Sequence, residues 1–376
     1  MNPTRLFNEF LNSEKAGGVV LVFATIVSLI IANSAWQSSY NGILTTDLGG
    51  HSIVHWINDG LMALFFLLIG LELEREIYTG ELSNLKKASL PIFAALGGMI
   101  VPFGIYLLLN LGSDSKSGAG IPMATDIAFA IGILSLLGSR VPVSLKIFLT
   151  ALAVIDDLGA IIIISVFYTS SLVFLNLFIA LGIFAILLIL NRMKIFNLAF
   201  YIAGGILMWY FMHHSGVHAT ITGVLLAFAI PFGDGGDESP SFRLQHHLHK
   251  PVAFIILPLF AIANTSIPIE SNWVSGLGEP YSLGILAGLV IGKPLGIFAF
   301  SFAAAALGIS SLPSDIKWSN IVGAGLLGGI GFTMSIFITL LAFNEVEIVN
   351  NAKIAILVAS LIAGTLGYVW LRLSLK

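Results

Sequence analysis

The sequence has 376 residues, of which 57% are hydrophobic and only 10% are charged, and its mean hydropathy is +0.97. A soluble protein is about 25% charged and could not bury so much apolar surface at this length. The composition therefore excludes a soluble protein and predicts a polytopic protein of the lipid bilayer. The net charge of −3 does not indicate a nucleic-acid partner, and the absence of cysteine excludes disulfides and thiolate metal sites.

Hydrophobic runs of about 20 residues, the length that crosses a bilayer, recur along the whole chain. They predict an all-α fold of about twelve transmembrane helices in one transmembrane domain, residues 1–376. The predicted spans are 16–32, 54–77, 89–110, 121–137, 145–168, 172–190, 198–212, 217–231, 251–265, 281–306, 320–342 and 353–373.

The first run follows Arg5 and Lys15 and precedes small residues, as a signal peptide does. Because its leader is long and carries Glu9 and Glu14, we expect a retained span rather than a cleaved peptide.

Basic residues predict the orientation, because cytoplasmic loops carry an excess of Lys and Arg. With twelve spans, fourteen of the seventeen Lys and Arg residues fall in loops on one side. Only Lys116 and Lys353 fall on the other side, and Lys293 lies inside a span. The asymmetry predicts that both termini are cytoplasmic.

The loops are short, and the two longest are 33–53 on the predicted outer side and 232–250 inside. Strand-like stretches around Gly49 and Gly50 predict a small hairpin in the outer loop. No G-x-x-x-x-G-K-[ST] phosphate loop occurs in the chain. We therefore expect no bound nucleotide, no cofactor and no soluble catalytic domain, so that any energy comes from an ion gradient.

Several charged residues fall inside predicted spans. A charge at the bilayer centre costs about 2.5–3.5 kcal/mol even on a lenient insertion scale, so such residues are functional candidates by default. Asp156 and Asp157 lie at the midpoint of one span and Lys293 at the midpoint of another. Asp126 lies near the start of a short span, and Asp59 lies nearer the outer end of its span.

Asp156 and Asp157 would point about 100° apart on a helix, so one can pair with Lys293 while the other faces an aqueous funnel. Burial and a like-charged neighbour both penalise a charged carboxylate. The two acids can therefore hold protons or a hard cation such as Na⁺ or Li⁺, but not both together. Competition of this kind, at a site that opens alternately to each side of the membrane, produces exchange. If both acids release a proton for each monovalent cation that binds, the exchange moves net charge across the membrane. The alternative is a structural ion pair between Asp156 and Lys293, with Asp157 only lining water.

Two predicted spans contain helix-breaking residues. Pro122 and Thr125 precede Asp126 in one, and the other contains five glycines between 323 and 331. These spans are the middle members of the triplets 89–168 and 281–373, which the number of intervening spans places in inverted orientation. Interruptions of this kind indicate a transporter binding site, although glycines can also serve close packing. The partial positive charge at half-helix N-termini would stabilise the carboxylate of Asp126, and the partial negative charge at half-helix C-termini would stabilise the ammonium of Lys293.

Five motifs resemble the NhaA family of bacterial sodium/proton antiporters. They are ATDIAFA at 124–130, AVIDDLGA at 153–160, SGVHAT at 215–220, GKPLG at 292–296 and GIGFTMS at 329–335. The resemblance runs from Ser13 to the last predicted span. Inverted repeats with two discontinuous crossing helices are a known feature of that family.

The resemblance implies electrogenic, pH-regulated exchange of cytoplasmic Na⁺ or Li⁺ for external H⁺ in the bacterial inner membrane. It makes Asp157 the main cation ligand and proton carrier, and Asp156 a second ligand that pairs with Lys293 when the cation is absent. It makes Thr125 and Asp126 the unwound crossing segment. It also implies a homodimer that forms partly through the first outer loop, 33–53.

The resemblance further places pH-responsive residues at the cytoplasmic funnel. The matching positions are Glu72, Arg75, Glu76, His218, Gln245, His246 and His249. Instead of responding to pH, Glu72, Arg75 and Glu76 could simply form a solvated helix end. His218 could likewise be a buried structural histidine.

Two positions depart from the family pattern, which has Lys where Glu74 stands and Glu where Gln245 stands. We therefore expect an altered pH profile and an unchanged transport site. A metal site formed by His246, His247 and His249 is a further alternative, although no acid or cysteine completes that set.

Other classes of protein fit the chain less well. A sodium-coupled symporter of an organic anion can share the crossed-helix architecture, but it does not need paired acids that release protons. An intramembrane aspartyl protease also needs two aspartates, yet on separate helices, and leaves Lys293 unexplained. A structural protein or a channel would have no need of the two broken helices. The sequence therefore favours a transporter over an enzyme.

Overall fold

The computed structural model describes residues 14–168, 172–269 and 273–375, so the N-terminal leader with Ser13 lies outside the described residues. Nearly all regular structure in these ranges is helical, which confirms the predicted all-α class. The main helices are Glu14–Ala32, Gln37–Thr45, Ile53–Tyr78, Leu85–Leu109, Asp114–Met123, Ile127–Leu136, Val143–Phe167, Phe174–Arg192, Leu198–His213, Ile221–Ala229, Pro240–Asn264, Trp273–Leu277, Pro280–Ala306, Trp318–Gly328, Phe332–Ala342 and Val346–Ser374.

Within the described ranges, seven helices are long and apolar enough to cross a membrane, and the number rises to ten if each of three bent pairs is one span. The predicted count of twelve is therefore not confirmed. The predicted span 217–231 contains only the nine-residue helix Ile221–Ala229, which at 1.5 Å per residue is about half as long as the hydrocarbon core is thick. Large apolar side chains remain exposed on helices such as Phe174–Arg192, as a lipid environment requires.

The chain forms two compact units. Unit 1 consists of Met1–Ser34, Asn84–Ala160 and Asn264–Lys376, and unit 2 consists of Ala35–Ser83 and Ile161–Ala263. Both predicted repeats, apart from residues 161–168, fall in unit 1. The inverted relation between them stays a prediction.

Two glycines bring helices of unit 1 into backbone contact. A Cβ atom on Gly97 would meet the carbonyl oxygen of Gly296, and a Cβ atom on Gly296 would meet that of Gly97. Only glycine allows two helix backbones to approach so closely. The contact positions Lys293, which lies one turn before Gly296 on the same helix.

The core of unit 2 is apolar. The helices Leu198–His213 and Phe174–Arg192 supply Tyr201, Met208 and Leu187 to a buried cluster that includes Leu71. Ile221–Ala229 packs against the helix that carries Leu71, because Gly223 leaves room for the backbone around Ala63 and Leu67.

The outer loop differs from its prediction. Residues 37–45 form a short helix, and the strand-like stretches form only an isolated antiparallel bridge between Asp47 and Ser52. Gly49 and Gly50 adopt positive φ angles in the turn between these two residues. The predicted hairpin is thus reduced to its tip, since helix formation before residue 46 removes the first strand.

Candidate cation-binding site

Two broken spans meet in unit 1. In the first broken span (Asp114–Met123 followed by Ile127–Leu136) the helices are bent by 40°, and in the second (Trp318–Gly328 followed by Phe332–Ala342) they are bent by 47°. The backbone N–H of Asp126 donates to the carbonyl of Ile330 at 2.6 Å, which joins the two unwound segments directly. Both predicted interruptions are therefore present, and they lie side by side.

The carboxylate of Asp126 caps the N-terminus of one helix in each broken span. Its Oδ1 accepts a hydrogen bond from the backbone N–H of Phe129 at 3.0 Å, and its Oδ2 accepts one from the backbone N–H of Thr333 at 3.1 Å. The hydroxyl of Thr333 donates to the same Oδ2 at 2.5 Å. Helix N-termini carry a partial positive charge and unpaired N–H groups. One buried carboxylate therefore satisfies donors at two such ends.

Asp156 forms a buried ion pair with Lys293. The Lys293 Nζ lies 2.7 Å from Oδ2 of Asp156, and both side chains are fully buried. Lys293 also donates to the carbonyl of Met123, the last residue of a half-helix, where the carbonyl groups carry partial negative charge. The ammonium thus lies between a carboxylate and a helix C-terminus.

Lys293 lies at an irregular turn of its helix. The turn Gly288–Gly292 is wider than an α-helical turn, and it immediately precedes Lys293 and Pro294. Proline has no N–H to donate to the preceding turn and its ring crowds the carbonyl there, which explains why the helix widens at this point. Such wide turns occur frequently at functional sites.

Oxygen atoms collect around Asp156. The hydroxyl of Thr125 lies 2.7 Å from Oδ2 of Asp156 and 2.8 Å from the carbonyl oxygen of Gly328. The Oδ1 atom of Asp156 is buried and accepts no hydrogen bond from any residue that the structure describes. Hard cations prefer oxygen ligands, so this carboxylate has an oxygen available for a cation.

Asp157 adjoins the ion pair. Its side chain is fully buried, it follows Asp156 on the same helix, and it lies close enough to Lys293 for the two charges to interact. The structure thus brings together all five residues that the sequence assigned to the cation and proton site.

The predicted pH-responsive residues belong to unit 2. The Nδ1 of His249 lies 3.8 Å from Oε1 of Glu72, so a protonated His249 pairs with that carboxylate. The guanidinium of Arg75 lies 4.9 Å from the centre of the Phe242 ring, and His246 stacks on the same ring. The contacts of His249 with Glu72 and of Arg75 with Phe242 join the helices Ile53–Tyr78 and Pro240–Asn264.

The remaining candidates are placed differently. His218 is half-buried, and its Nε2 lies 2.7 Å from the carbonyl oxygen of Tyr168. Glu76 and Gln245 are partly buried. Glu74, noted only as a departure from the family pattern, is buried, and its Oε2 accepts a hydrogen bond from the hydroxyl of Ser241 at 3.0 Å.

Sequence reasoning missed two features. Thr333 had no assigned role although it belongs to the motif GIGFTMS. Its position just after a helix break was the signal that would have placed its backbone N–H at a helix N-terminus, where it needs an acceptor. The second feature is a convergence of His51, His55 and His213 in unit 2, the one group of three metal-ligating side chains found among the described residues. By contrast, His246, His247 and His249 do not converge in this way.

Comparison with known proteins gives a consistent result. A family model described as Na⁺/H⁺ antiporter 1 matches residues 8–371. The chain is 64% identical over 372 residues to Na(+)/H(+) antiporter NhaA 1 of Flavobacterium johnsoniae, across 99% of this chain and 98% of that protein. It is 65% identical over 376 residues to the NhaA of Flavobacterium psychrophilum, across 100% and 98% of the two chains. It is 61% identical over 376 residues to the NhaA of Cytophaga hutchinsonii, across 100% of this chain and 97% of that protein.

Proposed function

This chain belongs to the Na⁺/H⁺ antiporter 1 family, and we propose that it exchanges cytoplasmic Na⁺ or Li⁺ for external H⁺ by competition at Asp156 and Asp157. The single observation that carries this proposal is the buried pair of adjacent acids beside Lys293. Neither acid can hold a charge in this environment without a partner, because an unpaired buried carboxylate is strongly disfavoured. A proton, a cation or the ammonium must therefore satisfy each of them.

The ion pair between Asp156 and Lys293 is the cation-free state in this proposal. A cation that binds both carboxylates must first displace Lys293 from Asp156, and Thr125 Oγ1 and the Gly328 carbonyl supply further oxygen ligands nearby. Protonation of either acid removes a negative ligand and expels the cation. Binding of one monovalent cation then releases two protons, one from the carboxyl of Asp157 and one from the Lys293 ammonium that has lost its partner. Net charge therefore crosses the membrane, and transport is electrogenic.

Asp126 has a positioning role in this mechanism. Its carboxylate satisfies the N-termini of two half-helices, which holds the unwound segments beside Asp156 while both half-helix ends stay buried. It is not a cation ligand in this proposal.

We place pH regulation in unit 2. The pair between His249 and Glu72 exists only while the imidazole is protonated, and histidine changes charge near physiological pH. Arg75, Glu76, Gln245 and His246 on the same two helices would tune that response, and His218 would contribute through its own contact. Because Glu74 and Gln245 depart from the family pattern, the pH profile would differ from that of relatives that follow it.

The proposal also covers the assembly of the protein and its orientation in the membrane. We propose a homodimer that contacts its second copy through the outer loop 33–53, and cytoplasmic termini in the bacterial inner membrane. The basic residues of the alternate loops support the orientation. The relatives are named as antiporters, which favours a transporter over an enzyme and sodium/proton exchange over sodium-coupled uptake of an organic anion.

Everted membrane vesicles test this function. Respiration acidifies the vesicles, a pH-sensitive dye reports the gradient, and Na⁺ or Li⁺ is then added across a range from mildly acidic to mildly alkaline pH. We expect the cation to dissipate the gradient, Asp157→Asn to abolish the response, and Asp315→Asn, the same change at an exposed aspartate, to retain it. No response from folded wild-type protein at any pH would overturn the proposal.

A further inference from the structure

Three histidines of unit 2 converge at one end of two helices. His51 precedes the helix Ile53–Tyr78, His55 lies in its first turn, and His213 is the last residue of the helix Leu198–His213. One ring nitrogen from each lies within 4.8 Å of the other two. His51 and His55 stack with their ring centres 4.3 Å apart, and His213 meets both rings edge-on or tilted at 5.4 and 5.2 Å.

A carboxylate completes this group. The Oδ2 of Asp59 lies 3.7 Å from Nε2 of His55 and 3.5 Å from Nδ1 of His213. The Nε2 of His55 is buried and has no hydrogen-bond partner among the residues that the structure describes. A buried imidazole nitrogen beside two other imidazoles and an acid is a metal-ligand arrangement rather than a satisfied core histidine.

The backbone around the cluster is held from both helices. The Ser52 hydroxyl accepts a hydrogen bond from the N–H of His55 at 3.2 Å, and the indole N–H of Trp209 donates to the carbonyl of Asp59 at 3.3 Å. The Trp209 ring also stacks on His213 and on Trp56. Three of the four ligands therefore lie on helices that are linked to each other near the cluster, and His51 lies in the turn just before one of them.

We propose that His51, His55 and His213, together with Asp59, bind a divalent transition-metal ion such as Zn²⁺. Three imidazoles with one carboxylate or water are a tetrahedral zinc set, whose nitrogens lie about 2.0–2.1 Å from the ion and hence about 3.3 Å apart. The three nitrogens lie within 4.8 Å of one another, so an ion that binds them sets this spacing and fastens segment 51–59 to the end of the helix Leu198–His213. Imidazole nitrogen suits zinc, copper and nickel rather than the hard ions Na⁺ and Li⁺, so this site is chemically distinct from the proposed transport site.

Zinc titration of the purified full-length chain tests the proposal. The protein carries an affinity tag without histidine, is treated with a chelator, and is titrated with Zn²⁺ in detergent at neutral pH by calorimetry. We expect one ion per chain. Asp59→Asn should weaken binding at least 10-fold, because changes even to residues that only hydrogen-bond a metal ligand typically cost about 10- to 100-fold, and His55→Ala or His213→Ala should weaken it at least as much. X-ray absorption of the bound zinc should show imidazole nitrogens at about 2.0 Å.

Two variants keep the result unambiguous. His51→Ala changes an exposed residue, so it should leave the fold intact, as thermal melting without metal will check, and still weaken zinc binding. The matched control replaces His246, His247 and His249 together with alanine, and it should bind zinc as the wild type does. The proposal is overturned if the wild type binds no zinc, if zinc binding survives His55→Ala and His213→Ala, or if the triple variant loses it.

Discussion

Asp126 and Thr333 are 207 positions apart in the chain, yet the backbone N–H and the hydroxyl of Thr333 both donate to Oδ2 of Asp126. The same carboxylate caps its own helix through Phe129. This side chain therefore links the N-termini of two half-helices, one in each broken span. The relationship leads to a first prediction.

Asp126→Ala should lower the free energy of unfolding by about 1–2 kcal/mol for each N-terminus that loses its cap. Thr333→Val keeps the backbone donor and removes only the hydroxyl, so it should cost about 1 kcal/mol. Denaturation in mixed micelles measures both, with exposed Asp315→Ala as the control. Equal stability of Asp126→Ala and the control would show that the carboxylate does not hold the two helices.

The buried ion pair gives a second prediction. Lys293→Met leaves Asp156 buried without its ammonium and should destabilise the protein by about 3–5 kcal/mol, whereas replacing both partners by apolar residues is often neutral. The double variant Lys293→Met with Asp156→Leu should therefore regain most of the lost stability while remaining inactive. Lys317→Met, at an exposed lysine, is the control. A double variant no more stable than Lys293→Met alone would contradict the pairing.

The glycine contact gives a third prediction. Gly97→Ala places a methyl group against the backbone of Gly296, and overpacking of this kind costs about 1–3 kcal/mol. Exchange activity should fall as well, because the displaced helix carries Lys293. Gly104→Ala, on the same helix with no neighbouring atom within 4 Å, should be neutral or stabilising, since alanine favours helix by about 1 kcal/mol over glycine. Thermal melting and vesicle assays of both variants check this, and equal effects would refute the close contact.

The buried carboxyl of Glu74 gives a fourth prediction. Glu74→Gln keeps an oxygen to accept the Ser241 hydrogen bond but cannot titrate. The exchange rate should then depend less steeply on pH, because steepness reflects the number of protons linked to the transition, and the maximal rate should be unchanged. Glu238→Gln, at an exposed glutamate, should keep the wild-type profile. Identical profiles for all three proteins would remove Glu74 from the pH response.

Much of the candidate site could be predicted from the sequence because charges in apolar runs and helix-breaking residues are visible there. Asp156, Asp157 and Lys293 lie at span midpoints, and Pro122 marks one break. The partner of Asp126 could not be predicted, because only the folded chain brings Thr333 to it. The convergence of His213 with His51 is hidden for the same reason.

The span count shows a different limit. Hydropathy reports that segment 217–231 is apolar, but it does not report where the backbone is helical, and the helix there begins only at Ile221. In the outer loop, the sequence predicted strand-like stretches around Gly49 and Gly50, and the structure shows a single bridge there with a short helix at 37–45 before it. That helix contains Ser, Asn, Thr and Gly, which favour helix weakly, so propensity alone does not indicate it.

Proton release on sodium binding tests the central claim most directly. Calorimetric titration of the purified protein with Na⁺, repeated in buffers of different ionisation enthalpy, counts the protons released for each ion bound. Competition at Asp156 and Asp157 predicts that at least one proton leaves as each Na⁺ binds, that sodium affinity falls as the pH is lowered, and that Asp157→Asn loses both effects. Sodium binding without proton release, at an affinity that stays the same from mildly acidic to mildly alkaline pH, would contradict competition at the aspartate pair.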